Sequence, residues 1–172
     1  MEGGGQERGK RPGTENVPAI MGMTAALEEA CSLMEQHAGE VSAMRDRLIK
    51  GLSQIPHCIL NGSEENRLPG NVNFCFEAVS GESLLLLLDS RGICASSGSA
   101  CASGALEPSH VLLALGRTPG IAQGSLRLSL DASNTESEIN YMLEVIPKVV
   151  EQLREMSEDW QEKISGRIGF EL

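Results

Sequence analysis

The segment Ala95 to Ala105 reads ASSGSACASGA, made of alanine, serine and glycine around one cysteine, Cys101. Nothing in it has the bulk to anchor a core, so a thiol carried there is predicted to be exposed and free to travel. Half of such a segment, fully extended, reaches roughly 15 Å. That suits a nucleophile that collects a group at one place and delivers it at another. The competing reading is a linker that happens to hold a cysteine. A second candidate is Arg127, on the polar side of the alternating stretch Ser125–Leu130. A guanidinium placed there can grip a carboxylate bidentately. An arginine that simply faces solvent on an edge strand is the commoner alternative.

The N-terminal GGGQERGKRPGT offers free backbone N–H groups, three basic residues and the hydroxyl of Thr14. Such a stretch can cradle a phosphate, although glycine-rich starts are common. His37, His57 and His110 are scattered and make no nucleophile–base pair by spacing. Five cysteines stand at 31, 58, 75, 94 and 101, without a CxxC pair or zinc-ligand spacing. Cys31, Cys58 and Cys75 fall in apolar or alternating segments and read as small core residues.

These groups need elements to position them. From about Asn16 a helical period sets in through Ile20, Leu27, Cys31, Met34, Val41, Leu48 and Leu52, with Gly39 as a possible break and Pro56 as the end. Cys58–Leu60 and Asn71–Phe76 read as strands; in the latter Val72, Phe74 and Phe76 alternate with Asn71, Asn73 and Cys75. Gly81 to Ser90 predicts a short buried helix and Ile93–Ala95 a brief strand. Pro108 opens a predicted helix carrying Val111, Leu112 and Leu115. Ile139, Met142, Ile146, Val149, Val150 and Leu153 form one stripe on a final helix, capped by Ser133 or Thr135 and bent at Pro147. The expected organisation is a glycine-rich loop over 1–15, a small α/β domain over 16–156 with the cysteine-bearing loop 95–105, and a loose tail over 157–172.

Three strings carry a resemblance. GGGQERGKRPGTENVPAI, ASSGSACASGALEPSHVLLALG and GSLRLSL closely resemble, in family order, the C-terminal third of NifS/IscS-type cysteine desulfurases. The resemblance implies the small C-terminal domain of the pyridoxal-phosphate-dependent aminotransferase architecture (fold type I), a short sheet covered by helices. It also implies an enzyme that turns L-cysteine into L-alanine and holds the released sulfur as a persulfide. Cys101 matches the cysteine that attacks the substrate sulfur, and is by the same token a candidate transient iron–sulfur ligand. Thr14 matches the hydroxyl that reaches the cofactor phosphate of the neighbouring subunit, and Arg127 the arginine that binds the carboxylate of the substrate. Cys94 matches no family role and is taken as structural. The implied partners are L-cysteine, an iron–sulfur scaffold or other sulfur acceptor, and a homodimer partner or a complementing large-domain chain.

The departure from the family pattern is large. The Ser-x-His-Lys segment that supplies the Schiff-base lysine is absent, as is the histidine that stacks on the cofactor ring; Lys10, Lys50, Lys148 and Lys163 sit in neither context. Cofactor chemistry needs that lysine and its pocket. The expectation is a fragment that carries the sulfur half of the mechanism and is inactive alone. A free-standing sulfur carrier without catalysis is the alternative, and a purely structural remnant a third.

Composition bounds these readings. The chain has 172 residues, 41% hydrophobic and 22% charged, which is one domain's worth and too apolar for disorder. A net charge of −10 argues against nucleic-acid binding, which needs a basic surface. Half of the excess acid, a net −5, lies in 133–172, where a solvated helix face is the ordinary explanation. No apolar run approaches a membrane span and the N-terminus has no secretory core, so a cytoplasmic location without membrane contact is expected.

Overall fold

The computed structural model describes residues 2–97 and 108–172, so Cys101 lies outside the described residues. The chain divides into two compact units, residues 1–36 and 37–172.

The first unit holds a 3-10 turn at Gln6–Gly9, where Glu7 and Arg8 take left-handed φ angles of 50° and 56°. It also holds the start of helix α1 (Val17–Leu52). Asn16 Oδ1 accepts the Ala19 N–H at 3.2 Å, which satisfies one of the orphan donors of the first turn. Val17, Ile20, Met21, Met23, Leu27 and Met34 are all exposed here. Cys31 is exposed as well, against the expectation that it is a core residue. Its helical spacing marks an apolar face correctly, but spacing says nothing about whether a partner covers that face. Gly39 does not interrupt α1, which runs unbroken for 36 residues.

The second unit is built on a three-stranded antiparallel sheet in the order β1 (Cys58–Leu60), β2 (Asn71–Phe76), β3 (Ser125–Ser129). Val72, Phe74 and Phe76 of β2, with Leu126 and Leu128 of β3, turn one face of the sheet to the main core. Three helices pack on that face: α1 through Val41, Leu48 and Leu52, α2 (Gly81–Asp89) through Leu84 and Leu88, and α5 (Glu136–Glu155) through Ile139, Ile146 and Val149. Arg47 of α1 reaches Glu136 and Asn140 of α5, fastening two of these helices at the rim. Of the two predicted caps of α5, Thr135 is the one used. Its hydroxyl accepts the Glu138 N–H while the Glu138 carboxylate accepts the Thr135 N–H at 2.8 Å, a reciprocal capping box.

Among the described residues, one end of the opposite face of the sheet is covered by a second apolar cluster. There Cys75 and Ile59 pack with Leu112 of α3 (His110–Ala114), with Ile121 and Ala122 of α4 (Pro119–Gln123), and with Leu172. α3 begins two residues after Pro108, with Ser109 at its N-cap. Ile93–Ala95 is not a strand: the backbone pairing falls one residue later, as an isolated bridge between Ser96 and Arg127. At Gly124 an added Cβ would stand 2.1 Å from the Phe76 carbonyl oxygen, so only glycine lets α4 run directly into β3 at this point.

Residues 157–172 are not a loose tail. They contain α6 (Glu158–Ile164), capped by Ser157, and they dock on the second unit through polar anchors. The buried Glu77 carboxylate accepts the N–H groups of Glu171 at 2.7 Å and Leu172 at 3.2 Å, and pairs with Lys163 at 3.0 Å. The guanidinium of buried Arg154 donates to the carbonyls of Pro56, His57 and Glu77, and lies 4.3 Å from the Trp160 ring centroid. His57 stacks on Phe170. No apolar stripe marks this segment, because ion pairs and ring contacts hold it rather than a hydrophobic face.

Candidate functional site

Arg127 occupies the middle of β3. Its neighbours Leu126 and Leu128 are buried in the core, so strand alternation turns its own half-buried side chain to the opposite face. Two backbone bonds hold its position on the free side of the strand: the Ser96 N–H donates to the Arg127 carbonyl at 3.0 Å, and the Arg127 N–H to the Ser96 carbonyl at 2.6 Å. Ser96 and Ser97 lead directly into the segment with Cys101. The arginine and the described root of that segment are therefore joined by a ladder pair, which no spacing in the sequence disclosed.

On its other side Arg127 is the direct cross-strand partner of Asn73 in β2. Asn73 belongs to a polar network on this sheet face. Its Oδ1 accepts from Asn61 Nδ2 at 2.7 Å, and Asn61 Oδ1 accepts from Arg117 Nε at 2.9 Å. Asn61 also donates to Cys75 Sγ at 3.1 Å. Burial pushes the Cys75 thiol up, against the opposing pull of Asn61 and Arg117. Neither Arg117 nor Arg127 forms an ion pair among the described residues. Two guanidinium groups that pair with no carboxylate among the described residues thus lie beside this network in an otherwise acidic chain. None of Asn61, Asn73 and Arg117 stands out in the sequence; the one trace is the set of asparagines that alternate with apolar residues in β2.

The family model for Aminotransferase class-V matches residues 5–142. The chain belongs to this family. Among its relatives, the cysteine desulfurase IscS of Clostridium botulinum is 51% identical over 170 residues, which is 97% of this chain and 43% of that protein. The cysteine desulfurase NifS of Azotobacter vinelandii is 47% identical over 161 residues, 93% of this chain and 40% of that protein. Among solved structures, a NifS-like protein superposes with a TM-score of 0.75 at 35% identity, covering 88% of this chain and 38% of that one. A NifS-like protein from Rickettsia africae gives the same TM-score at 28% identity. The chain therefore spans about two fifths of the length of the relatives it matches. The family likeness extends to the architecture, a small α/β unit of sheet and helices.

Thr14 is exposed in the first unit, and Arg127 belongs to the second. Cys94 is exposed, and among the described residues no group of three His, Cys, Asp or Glu side chains is placed to hold a metal ion. No helix there is long and apolar enough to cross a membrane.

Pyridoxal phosphate, which the resemblance implies, is held through a lysine amine, and none of the described lysines stands in the Ser-x-His-Lys context that supplies it in the family. Lys163 is buried, and although burial lowers its affinity for a proton, the hydrogen bond and charge of Glu77 outweigh this and hold it protonated. Lys148 is bound to Glu144 at 2.7 Å, and Lys10 and Lys50 are solvent-exposed. Glycine-loop donors are partly spent too, since the Gly13 N–H already serves Gln6 Oε1. The residues present do not fit the cofactor as a complete site.

Proposed function

We propose that this chain is the sulfur-accepting, carboxylate-gripping part of a cysteine desulfurase. The observation that carries the proposal is the joining of Arg127, with no ion-pair partner among the described residues, to Ser96, five residues before Cys101 in the chain. Five residues of backbone span at most about 17 Å. A carboxylate held by Arg127 therefore lies within reach of a thiol tethered at the same strand. Family membership and the strong identity to IscS and NifS proteins support the reading.

In this reading Arg127 fixes the carboxylate of L-cysteine and so places its sulfur. The thiolate of Cys101 bonds to that sulfur as the substrate C–S bond breaks. The electron pair of the broken bond stays on the substrate carbon, which takes up a proton and leaves as L-alanine. Cys101 keeps the transferred sulfur as a persulfide, and an acceptor thiol on an iron–sulfur scaffold or another sulfur acceptor removes it. Thr14 serves the cofactor phosphate across a dimer interface, and the pyridoxal phosphate itself is held by the part of the family's length that this chain does not span. Full activity then needs a complementing large domain.

A second reading, a sulfur carrier without catalysis of its own, is favoured by the described lysines, none of which suits the cofactor. One experiment tests both. The chain is combined with the cofactor-bearing domain of a relative, and alanine release and Cys101 persulfide are followed from L-cysteine. Alanine and persulfide that both vanish in Cys101→Ala and fall in Arg127→Ala support the desulfurase. Persulfide gained only from another loaded protein, without alanine, favours the carrier. No sulfur on Cys101 from either source overturns both.

A further inference from the structure

Hydrogen-bond chemistry fixes how the amides of the Arg127 face must point. An arginine has donors only, so the atom of Asn61 that Arg117 Nε meets at 2.9 Å must be its carbonyl oxygen. The amide nitrogen of Asn61 then faces the other way, and at 2.7 Å from Asn73 it can only donate. Its partner on Asn73 must therefore be the Oδ1 atom. The Asn73 Nδ2 group, with two N–H donors, is left over. Directly paired residues of an antiparallel ladder carry their side chains on the same face, about 5 Å apart at Cβ. Asn73 and Arg127 are such a pair. Both are half-buried, and among the described residues no carboxylate answers either of them.

We infer that Asn73 is a second carboxylate-binding residue beside Arg127, and that Arg117, through Asn61, is the positioning residue that turns its N–H donors outward. The inference rests on the reading of Arg127 as a carboxylate clamp and adds to it a donor pair that the guanidinium alone does not supply. An arginine by itself accepts any small anion in its fork. An amide fixed beside it prefers a planar oxyanion whose two oxygens can be shared between neighbours, as in the α-carboxylate of a small amino acid. The relay also gives Arg117 a purpose: it is a cation that orients a neutral amide and, among the described residues, forms no ion pair.

The full chain, labelled with nitrogen-15, is titrated with L-alanine, which has a carboxylate, and with L-alaninamide, which does not. The side-chain N–H signals of Arg127 and Asn73 are followed together. Saturable shifts of both signals with L-alanine and of neither with L-alaninamide are expected. Asn73→Ala should weaken L-alanine, read at Arg127, by about tenfold, the scale of one hydrogen bond to a charged group. Arg117→Leu should reduce the Asn73 response, and Arg117→Lys, which keeps an obligate donor, should restore it. If Arg127 responds and Asn73 does not, the inference falls while the clamp reading stands. If neither signal moves, the clamp reading falls as well. The wild-type titration decides between these outcomes even where a variant does not fold.

Discussion

Lys163 Nζ lies 3.0 Å from Glu77 Oε1, with 6% and 1% of the two side chains exposed, and this pair fastens α6 to the residue that follows β2. Burial on its own would raise the Glu77 carboxyl, but the N–H groups of Glu171 and Leu172 and the Lys163 ammonium outweigh it and hold it below the usual carboxylate range. The pair consequently acts as an electrostatic clasp on the C-terminal segment.

The clasp sets a pH window. A depressed carboxyl contributes stability that is present above its unfolded pKa, about 4.3, and is lost as pH falls through the lower folded value. A raised ammonium contributes stability that is present below about pH 10.4 and is lost as pH rises through the higher folded value. Melting temperature should therefore be flat between these limits and drop on both sides. Glu77→Gln should cost about 3–5 kcal/mol near neutral pH, because it takes the nearest carboxylate from buried Lys163 and leaves it only Asp159, at 3.9 Å. It should also blunt the acid limb; an acid limb of unchanged steepness in Glu77→Gln would place the titrating group elsewhere.

Thiol accessibility gives a second check. Cys31 and Cys94 are exposed, Cys58 is half-buried and Cys75 is fully buried. Burial pushes both the Cys58 and the Cys75 thiols up, against the charge of Arg154 in the first case. Alkylation at neutral pH with peptide mapping should mark Cys31 and Cys94 early, Cys58 slowly and Cys75 only on unfolding. Early labelling of Cys75 would contradict the packing of α3 and α4 on the sheet.

The apolar row on the first unit makes a third. Ile20, Met21, Met23, Leu27 and Met34 are between 46% and 65% exposed, which is unusual for side chains of this kind on one helix. The isolated chain should self-associate through this row, with a sedimentation coefficient that rises with concentration. Leu27→Glu should shift the equilibrium towards monomer with little change in the melt of the second unit. A monomer at every concentration, in the wild-type chain, would show that the row is tolerated in water.

Substrate grip supplies the fourth. In a chain complemented with a cofactor-bearing domain, Arg127→Ala should weaken L-cysteine binding by about 2–3 kcal/mol, the scale of a charge-assisted hydrogen bond, seen mainly as a rise in KM. Pyridoxal phosphate added to the uncomplemented chain should keep its free absorption spectrum, since Lys163 is tied to Glu77 and no described lysine stands in a Ser-x-His-Lys context. An unaltered KM in Arg127→Ala would return that residue to a solvent-facing role.

Much of the architecture is legible in the sequence because it depends on short-range rules. Alternation in Asn71–Phe76 and Ser125–Ser129 marks strands with one apolar face, and both form. The 3.6-residue stripe of α5 and its Thr135–Glu138 cap lie within one element, so spacing alone places them. The cysteine-bearing segment and Arg127 stand out by composition and by an unexpected charge on an apolar strand. The short helices α4 and α6 were less legible, since neither carries a stripe long enough to read and each is held by partners distant in the chain.

Residue identity by itself decided which faces are apolar, where helices can start, and which groups have the chemistry to bind a carboxylate or carry sulfur. Only the tertiary structure decided which of those faces is covered and which groups meet. Cys31 and Cys75 show the first difference: Cys31 lies on an apolar helical stripe yet is exposed, whereas Cys75 alternates with asparagines in β2 yet is buried under α3 and α4. Asn73 and Arg127 show the second, 54 positions apart in sequence and directly opposite in the sheet. Periodicity is a property of neighbouring residues along one chain segment, whereas burial, pairing and amide orientation depend on what the rest of the chain brings alongside.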